Sequence, residues 1–174
     1  MATTVDAVEE LQIWPGAEEL VQAVAVWDRL GAKVAAAVGA FDAAGLWQLE
    51  GSANLVAWLR SHCRMTAAAA SALARTAGRM TQLPVCSAAA QRGALSAGQV
   101  SAVVARLNDT TVSTFAEHEL ELVPVLAPLS VSQCSRAMST WAAHADTNGP
   151  APDERTRFLH CSPTLDGRYE LKGS

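Results

Sequence analysis

The sequence has few aromatic residues, no apolar run long enough to cross a membrane and no leader-like start. Its 174 residues include one Tyr, three Phe and five Trp, whereas alanine supplies 35. The longest weakly polar run, residues 34–46, is interrupted by Asp42 and falls far short of the roughly 20 apolar residues that a membrane helix needs. Residues 1–11 are acidic and lack the basic start of a secretory signal. These absences predict a cytoplasmic protein without membrane contact, whose core consists largely of small side chains.

The cysteines form no closely spaced pair. They are Cys63, Cys86, Cys134 and Cys161. Two of them follow a histidine, in His62-Cys63 and His160-Cys161, but structural zinc sites use ligand pairs separated by about two to four residues. We therefore expect reduced, mostly buried thiols and no metal or other cofactor. The sequence also lacks a Gly-x-Ser-x-Gly nucleophile elbow, so no catalytic residue is predicted.

Acidic residues are missing from the middle of the chain. Residues 51–108, called the arginine segment below, contain six arginines and no Asp or Glu. The six are Arg60, Arg64, Arg75, Arg79, Arg92 and Arg106. Residues 1–50 and 109–154 each hold six more acidic than basic residues, so the formal net charge of −4 conceals a cationic centre between two anionic flanks. Such segregation favours an anionic partner, which is either nucleic acid or the protein's own acidic segments.

Arginine dominates the basic residues, at eleven of thirteen. Its planar guanidinium binds carboxylate or phosphate in a bidentate way that lysine does not match. The bias is equally explained by a GC-rich genome, so it does not decide between the two partners.

Apolar periodicity predicts helices through most of the chain. After a turn at Pro15-Gly16, one long helix is expected from Ala17 to about Ala44. Its stripe is expected to consist of Val21, Val24, Trp27, Leu30, Val34, Val38 and Phe41. Two further helices are predicted over Ser52–Cys63 and Thr66–Met80. Their expected inner faces are Leu55, Val56, Leu59 and Cys63 in the first, and Ala69, Leu73 and Met80 in the second, with the arginines outward.

Local signals predict where the next helices begin. Pro84 suits the first turn of a short helix that Gly93 ends. Ser96 with Gln99, and Ser130 with Gln133, have the spacing of a capping box, so each pair is expected to start a helix. The apolar stripes behind them are Val100, Val103, Val104 and Leu107, and Ala137, Met138 and Trp141. A helix between these two is expected to end or kink at Pro124.

The spacing of the apolar residues changes from helical to alternating near the C-terminus. Residues 168–172 alternate polar and apolar side chains after the turn signal Asp166-Gly167, which predicts a β-hairpin. An isolated hairpin is marginally stable, so we interpret it as the start of a truncated β-containing region. The predicted fold is mainly α: a multi-helix bundle with a short C-terminal β-hairpin. The expected parts are an N-terminal segment at 1–15, the bundle at 16–146, a linker at 147–155 and the hairpin at 156–174.

Several short motifs lie in this order along the chain. They are Gly51-Ser52, Trp58-Leu59, an alanine-rich helix ending at Leu83-Pro84, Gly93, Leu95-Ser96, Gln99, Trp141 and Asp166-Gly167. With them, residues 47–174 resemble the actinobacterial 13E12 repeat family, also catalogued as domain of unknown function 222. The resemblance implies a helical N-terminal region, a β-containing middle and often a C-terminal HNH nuclease domain. No residue of an HNH site matches, so the chain is expected to be a non-catalytic front part of such a protein.

The two helices predicted over residues 52–80 have the dimensions of a helix-turn-helix joined at Arg64-Met65. Their arginines would contact phosphates without a neighbouring carboxylate to repel DNA. The second helix begins with Thr66 and four alanines, which offer nothing to base edges. We therefore predict nonspecific contact with DNA phosphates through the six arginines.

Two other functions stay open. The chain is alternatively a helical protein–protein interaction or oligomerisation module that self-associates through its helices, or a relic of a mobile repeat element. In the interaction module, the arginines would pair with carboxylates across the bundle. The candidates are Glu18, Glu19, Glu117, Glu119 and Glu121. Because no catalytic motif is present, the chain is not expected to be an enzyme.

Overall fold

The computed structural model of the chain describes residues 2–145, with side chains from residue 6 onward, and the backbone of two strands. Within these residues it has ten helices: α1 (Ala2–Glu9), α2 (Ala17–Ala43), α3 (Leu46–Leu49), α4 (Leu55–His62), α5 (Ala67–Gln82), α6 (Pro84–Arg92), α7 (Ala97–Val104), α8 (Thr111–Glu117), α9 (Glu119–Leu126) and α10 (Val131–Ala145). The prediction of a mainly helical fold is confirmed. None of these helices is long and apolar enough to cross a membrane.

The strands are β1 (Leu159–Pro163) and β2 (Tyr169–Gly173), which pair antiparallel with Leu159 opposite Gly173. Residues 146–158, which contain the predicted linker, and residues 164–168, which contain the predicted turn, lie outside the described residues. The predicted hairpin and the predicted domain boundaries therefore stay predictions.

Local capping chemistry fixes the helix ends. Pro84 occupies the first turn of α6, and Gly93 ends that helix at φ 82°, a conformation that glycine adopts without steric cost. Ser96 and Gln99 exchange both bonds of the predicted capping box. Ser130 and Gln133 do the same at the start of α10, with the Ser130 N–H donating to Gln133 Oε1 at 2.9 Å and the Gln133 N–H donating to Ser130 Oγ at 3.3 Å. These predicted helix starts are confirmed.

The main core lies among α6, α7, α8, α9 and α10. Its largest fully buried side chains include Phe115, Leu83, Leu95 and Met138. Phe115 meets the edge of Trp141, with ring centroids 5.2 Å apart. A second, smaller cluster joins α4 and α5 to the C-terminal end of α2 and contains Leu55, Leu59 and Ala70. The predicted stripes of α7 and α10 thus lie in the core.

Small residues let α2 approach α5 closely. A Cβ atom at Gly39 would lie 2.6 Å from Thr81 Cγ2 and 3.1 Å from the Ala77 carbonyl oxygen. Gly39 and Ala35 are the buried residues of α2. Contact between backbones therefore replaces the contact between large side chains that the apolar pattern predicted.

The predicted inner stripe of α2 is wrong over most of its length. Val38 and Phe41 pack against the second cluster, but the remaining five large residues are exposed. These are Val21, Val24, Trp27, Leu30 and Val34. Since the side with Ala35 and Gly39 contacts the bundle, the stripe lies to one side of that contact and faces solvent among the described residues.

Three smaller predictions also fail. The inner face of α5 contains Ala70 and Ala77 in place of Ala69, which is exposed, and Cys63 is exposed. The helix between the two capping boxes breaks at His118, which separates α8 from α9, whereas Pro124 lies inside α9. Pro124 is the sixth residue of α9, so its missing N–H removes only one intrahelical bond near the helix end.

Candidate nucleic-acid interface

The six predicted arginines lie on three helices and in two of the connections between helices. Arg60 lies on α4, Arg75 and Arg79 on α5, and Arg92 at the end of α6, while Arg64 precedes α5 and Arg106 follows α7. All except Arg79 are exposed. Arg75 and Arg79 are one turn apart on the side of α5 opposite its buried residues, as predicted. The arginine segment therefore presents most of its charge to solvent.

The structure brings one of the six to a carboxylate. Arg79 Nη2 lies 2.8 Å from Asp109 Oδ1, with the Arg79 side chain 18% exposed and the Asp109 side chain 98% exposed. Among the described residues this is the sole ion pair, and it involves none of the five glutamates that the bundle-pairing alternative named. Five of the six arginines thus lack an acidic partner in the described part of the chain.

Glu119, one of those glutamates, has a different role. It is 2% exposed, and its two carboxylate oxygens accept the N–H groups of Val85 at 3.1 Å and Cys86 at 2.8 Å. These N–H groups belong to the first turn of α6, where no intrahelical acceptor exists. The positive end of the helix dipole also favours a carboxylate there. Glu119 therefore caps α6 from α9 and is unavailable to the arginines.

The connection between α4 and α5 is short and sharply bent. Asn54 Oδ1 accepts the Ala57 N–H at 2.9 Å, and Thr66 Oγ1 accepts the Ala69 N–H at 3.2 Å, so each helix begins at a side-chain cap. Arg64 between them has φ 54°, a left-handed conformation uncommon outside glycine. This turn places Arg60 and Arg64 at the same end of the helix pair as the start of α5. The exposed alanines at that start offer no hydrogen bonds to base edges.

Arg92 and Arg106 lie beside other elements. Arg92 precedes Gly93, where an added Cβ would lie 3.0 Å from Cδ of Arg29 on α2. Arg106 lines a shallow depression together with Ala142 and Ala143 of α10. The predicted set is therefore divided: four arginines belong to the α4–α5 unit, and two lie next to α2 and α10.

An aromatic stack occupies the end of α4. The Trp58 ring lies 4.5 Å from that of Phe41 and 5.0 Å from that of His62, which is nearly parallel to it. Ser61 Oγ lies 2.9 Å from His62 Nδ1. Residues 6–145 contain no group of three His, Cys, Asp or Glu side chains that could hold a metal ion. His62 therefore packs on an indole, and its neighbour Cys63 is an exposed free thiol.

The other described thiols are buried. Burial, followed by the nearby charge of Glu119 and then Cys134, raises the pKa of Cys86 to about 12. Burial likewise raises the pKa of Cys134. Both thiols are fully buried by solvent exposure, so they remain protonated and unreactive at neutral pH. The prediction of buried thiols is confirmed for these two, and their reduced state stays a prediction.

A cavity that the sequence did not predict lies between α2, α5, α6 and α7. Its volume is about 260 Å³, and Ala32, Leu73, Met80 and Val100 are among its mostly apolar lining residues. Asp28 is the sole ionisable lining residue, and its Oδ2 accepts the Ala97 N–H at 3.1 Å. The other polar side chains of the lining are the hydroxyls of Thr76, Ser87 and Ser101, so the cavity has one carboxylate and no second ionisable group to complete an acid–base pair.

A comparison with family models matches residues 17–174 to the domain of unknown function DUF222. The chain belongs to this family. No curated protein and no solved structure matches it. The family resemblance predicted from the motifs is confirmed, and the DUF222 match starts at Ala17, the first residue of α2, well before the predicted Trp47. The DUF222 domain thus includes the complete arginine segment and all of α2.

Proposed function

We propose that this DUF222 domain is the non-catalytic helical part of an HNH-endonuclease-associated cytoplasmic protein and contacts nucleic acid nonspecifically. This proposal is supported by the exposure of the arginines in the arginine segment and by their lack of nearby carboxylates. Five of its six arginines are exposed and have no carboxylate within 4 Å among the described residues. Free guanidinium groups bind phosphate oxygens without reading sequence.

The expected binding is weak and depends on salt. Nonspecific binding of this kind has dissociation constants of roughly 10⁻⁴ to 10⁻⁶ M at physiological salt. Each phosphate neutralised releases counterions, so affinity falls as salt rises. The alanines at the start of α5 support nonspecific contact, because they cannot distinguish base pairs.

Fluorescence anisotropy with a short DNA duplex tests this proposal. Between about 50 and 200 mM salt, the affinity of the wild-type chain is expected to fall steeply. The triple variant Arg60→Ala, Arg64→Ala, Arg75→Ala should weaken binding for every duplex sequence and flatten the salt dependence by about one unit of slope per lost contact. Arg136→Ala is the matched control, because Arg136 is exposed on α10 outside the arginine segment. Absence of binding at the lowest salt contradicts the proposal.

A helical interaction module is the second candidate. Its version with internal arginine–glutamate pairs receives little support. Among the described residues Arg79 alone of the six arginines has a carboxylate partner, and that partner is Asp109 rather than a glutamate. Its version with self-association is supported by the exposed apolar residues of α2. The two candidates use different surfaces, so they are separately testable.

The association with an HNH nuclease rests on the family resemblance. We propose that β1 and β2 form the predicted hairpin and begin the β-containing region that precedes the nuclease domain in such proteins. Reading the coding DNA downstream of Ser174 tests this. An in-frame HNH motif supports the association, and a continuation without that motif contradicts it.

A further inference from the structure

The cavity between α2, α5, α6 and α7 has a buried apolar floor and a more exposed polar rim. The floor consists of Ala35, Met80, Ala90, Leu95 and Val100, all of which are buried. The cavity volume of about 260 Å³ lies just below the roughly 300–1,000 Å³ of sites for drug-sized ligands. The cavity therefore has room for a small molecule whose apolar part is removed from water on the floor.

The rim contains a carboxylate with one oxygen available. Asp28 is half-buried and lines the cavity, and its Oδ2 accepts the Ala97 N–H at 3.1 Å. Among the described residues, Asp28 Oδ1 forms no hydrogen bond, and no Lys or Arg nitrogen lies within 4 Å of the carboxylate. A carboxylate accepts up to about four hydrogen bonds. Asp28 can therefore hold the start of α7 and bind a ligand at the same time.

A hydroxyl lies next to that carboxylate on the rim. Ser101 is exposed and lines the cavity, and it follows Ala97 by four residues on α7. It is therefore about one helical turn from the N–H group that Asp28 binds. The rim thus presents carboxylate and hydroxyl oxygens, which both accept hydrogen bonds.

The charge of Asp28 selects among the ligands that fit the floor. A neutral apolar ligand would displace water from the carboxylate without replacing its hydrogen bonds, which costs free energy. An anion would be repelled. An ammonium group neutralises the charge and has three N–H donors, so it can bond to both Asp28 Oδ1 and Ser101 Oγ while its apolar part covers the floor.

We propose that this cavity binds a small primary amine with an apolar body, such as an alkylammonium ion. None of the six arginines of the arginine segment lines the cavity, so the proposal does not depend on nucleic-acid contact. The bound amine contacts α2, α5, α6 and α7 together. Because these four helices form the cavity only in the folded chain, binding also stabilises the folded state.

NMR titration of the full chain with hexylamine, 1-hexanol and hexanoate tests the class of ligand. The three probes share one alkyl chain and differ in charge. Ligands this small bind with dissociation constants of roughly 1 mM, so concentrations from about 0.1 to 20 mM at low salt bracket the range. Hexylamine is expected to bind several-fold more tightly than 1-hexanol, and hexanoate most weakly, with amide shifts at Ala97 and Ser101. Absence of saturable hexylamine binding, or equal affinity for the three probes, overturns the proposal.

A neutral variant tests the role of the carboxylate. Asp28→Asn removes the charge and keeps an oxygen that can accept the Ala97 N–H. It should weaken hexylamine several-fold, to about the affinity of 1-hexanol, and leave 1-hexanol binding unchanged. Asp42→Asn is the matched control, because Asp42 is exposed on the same helix, accepts the Trp47 Nε1–H at 2.9 Å and lies outside the cavity lining. An unchanged affinity of Asp28→Asn for hexylamine overturns the proposal.

A cavity-filling variant tests the location. Gly31 lines the cavity, and a Cβ atom there would meet nothing within 4 Å, so Gly31→Leu is expected to fill space and abolish the binding of hexylamine and 1-hexanol. Gly78→Leu is the control, because Gly78 also has nothing within 4 Å but lies on α5 outside the lining. Circular dichroism should show that both variants keep their helical content. Hexylamine binding that survives Gly31→Leu overturns the proposal.

Discussion

Helices α2 and α10 both carry an apolar stripe with helical spacing, but only that of α10 is covered. Met138 of α10 is 1% exposed, whereas Trp27 of α2 is 71% exposed. The stripe of α10 packs with α7 and α8 in the main core. The bundle-facing side of α2 contains the small residues Ala35 and Gly39 instead of its large ones. A stripe therefore shows that a helix has an apolar face to bury, without showing which surface buries it.

The two stripes differ in burial because different contacts set the orientation of α10 and of α2. Gln99, 5% exposed, donates from Nε2 to the carbonyl oxygens of Leu126, Ala127 and Leu129 at 3.0, 3.1 and 2.7 Å. These bonds fix the chain between α9 and α10 against the start of α7. They therefore hold α10 with its apolar stripe against the main core. On α2, the close approach at Gly39 sets the rotation of the helix, and the larger side chains are turned away.

The largest expected effect tests the contrast directly. Phe115→Ala should lower the free energy of unfolding by about 3–5 kcal/mol, because it removes a fully buried ring and leaves a cavity. Trp27→Ala should change the monomer's stability by no more than about 0.5 kcal/mol. Urea denaturation at low protein concentration measures both. An equal cost for the two variants would mean that Trp27 is covered within the chain as Phe115 is, and the contrast between α2 and the main core would disappear.

The buried carboxylate of Glu119 is expected to contribute to the stability of the main core. Glu119→Ala leaves two N–H groups at the start of α6 without their acceptor, and hydrogen bonds to a charged group contribute about 1.5–3 kcal/mol. We expect a loss of about 2–3 kcal/mol by urea denaturation. Glu121→Ala is the control, since Glu121 is exposed on the same helix. Similar losses for both would rule out a specific role for the buried carboxylate.

The two capping boxes have the same sequence signal and different expected energies. Gln99→Ala removes a local cap and three bonds to the chain before α10, so a loss of about 1–2 kcal/mol is expected. Gln133→Ala removes only an exposed local cap, which typically costs about 0.5–1 kcal/mol. Chemical denaturation of the two variants in parallel decides the order. The reverse order would show that the connection at Gln99 does not hold α10.

The smallest effect concerns the thiols. Cys63 should react with a thiol reagent in the folded chain, whereas Cys86 should react only after unfolding, as mass spectrometry of labelled peptides would show.

The stability of the chain should also depend on pH through Cys86. Because the Cys86 thiol ionises near the ordinary pKa of 9.0 in the unfolded chain and near about 12 in the folded chain, the unfolded state loses its proton first. The contribution of Cys86 to stability is therefore complete below pH 9 and is lost as pH rises toward 12.

The pH dependence needs its own control. Cys86→Ala should show a smaller decline in the urea midpoint between about pH 8 and 10 than the wild type, because it lacks the group that titrates. Identical slopes would contradict the buried, protonated thiol.

Much of the secondary structure follows from local signals. Pro84, Gly93 and the two capping boxes act within a few residues, so the starts of α6, α7 and α10 were predictable. The exposure of Arg60 and Arg75 followed from their spacing opposite apolar residues. The pair between Arg79 and Asp109, thirty residues apart, was not predictable, because the approach of α5 to the connection after α7 decides it.

Local sequence signals are enough to predict where most helices begin, which of their faces are apolar and how the charges are segregated. The packing of the helices was needed to show that the large apolar residues of α2 lie in solvent and that Glu119 is buried as a cap. It was also needed to show that, within the part of the chain the structure describes, Arg79 alone of the six arginines has a carboxylate partner. The two kinds of feature depend on interactions over different distances along the chain. Caps and periodicity depend on neighbours within one or two turns, whereas the burial of a face or a charge depends on which distant surface packs against it.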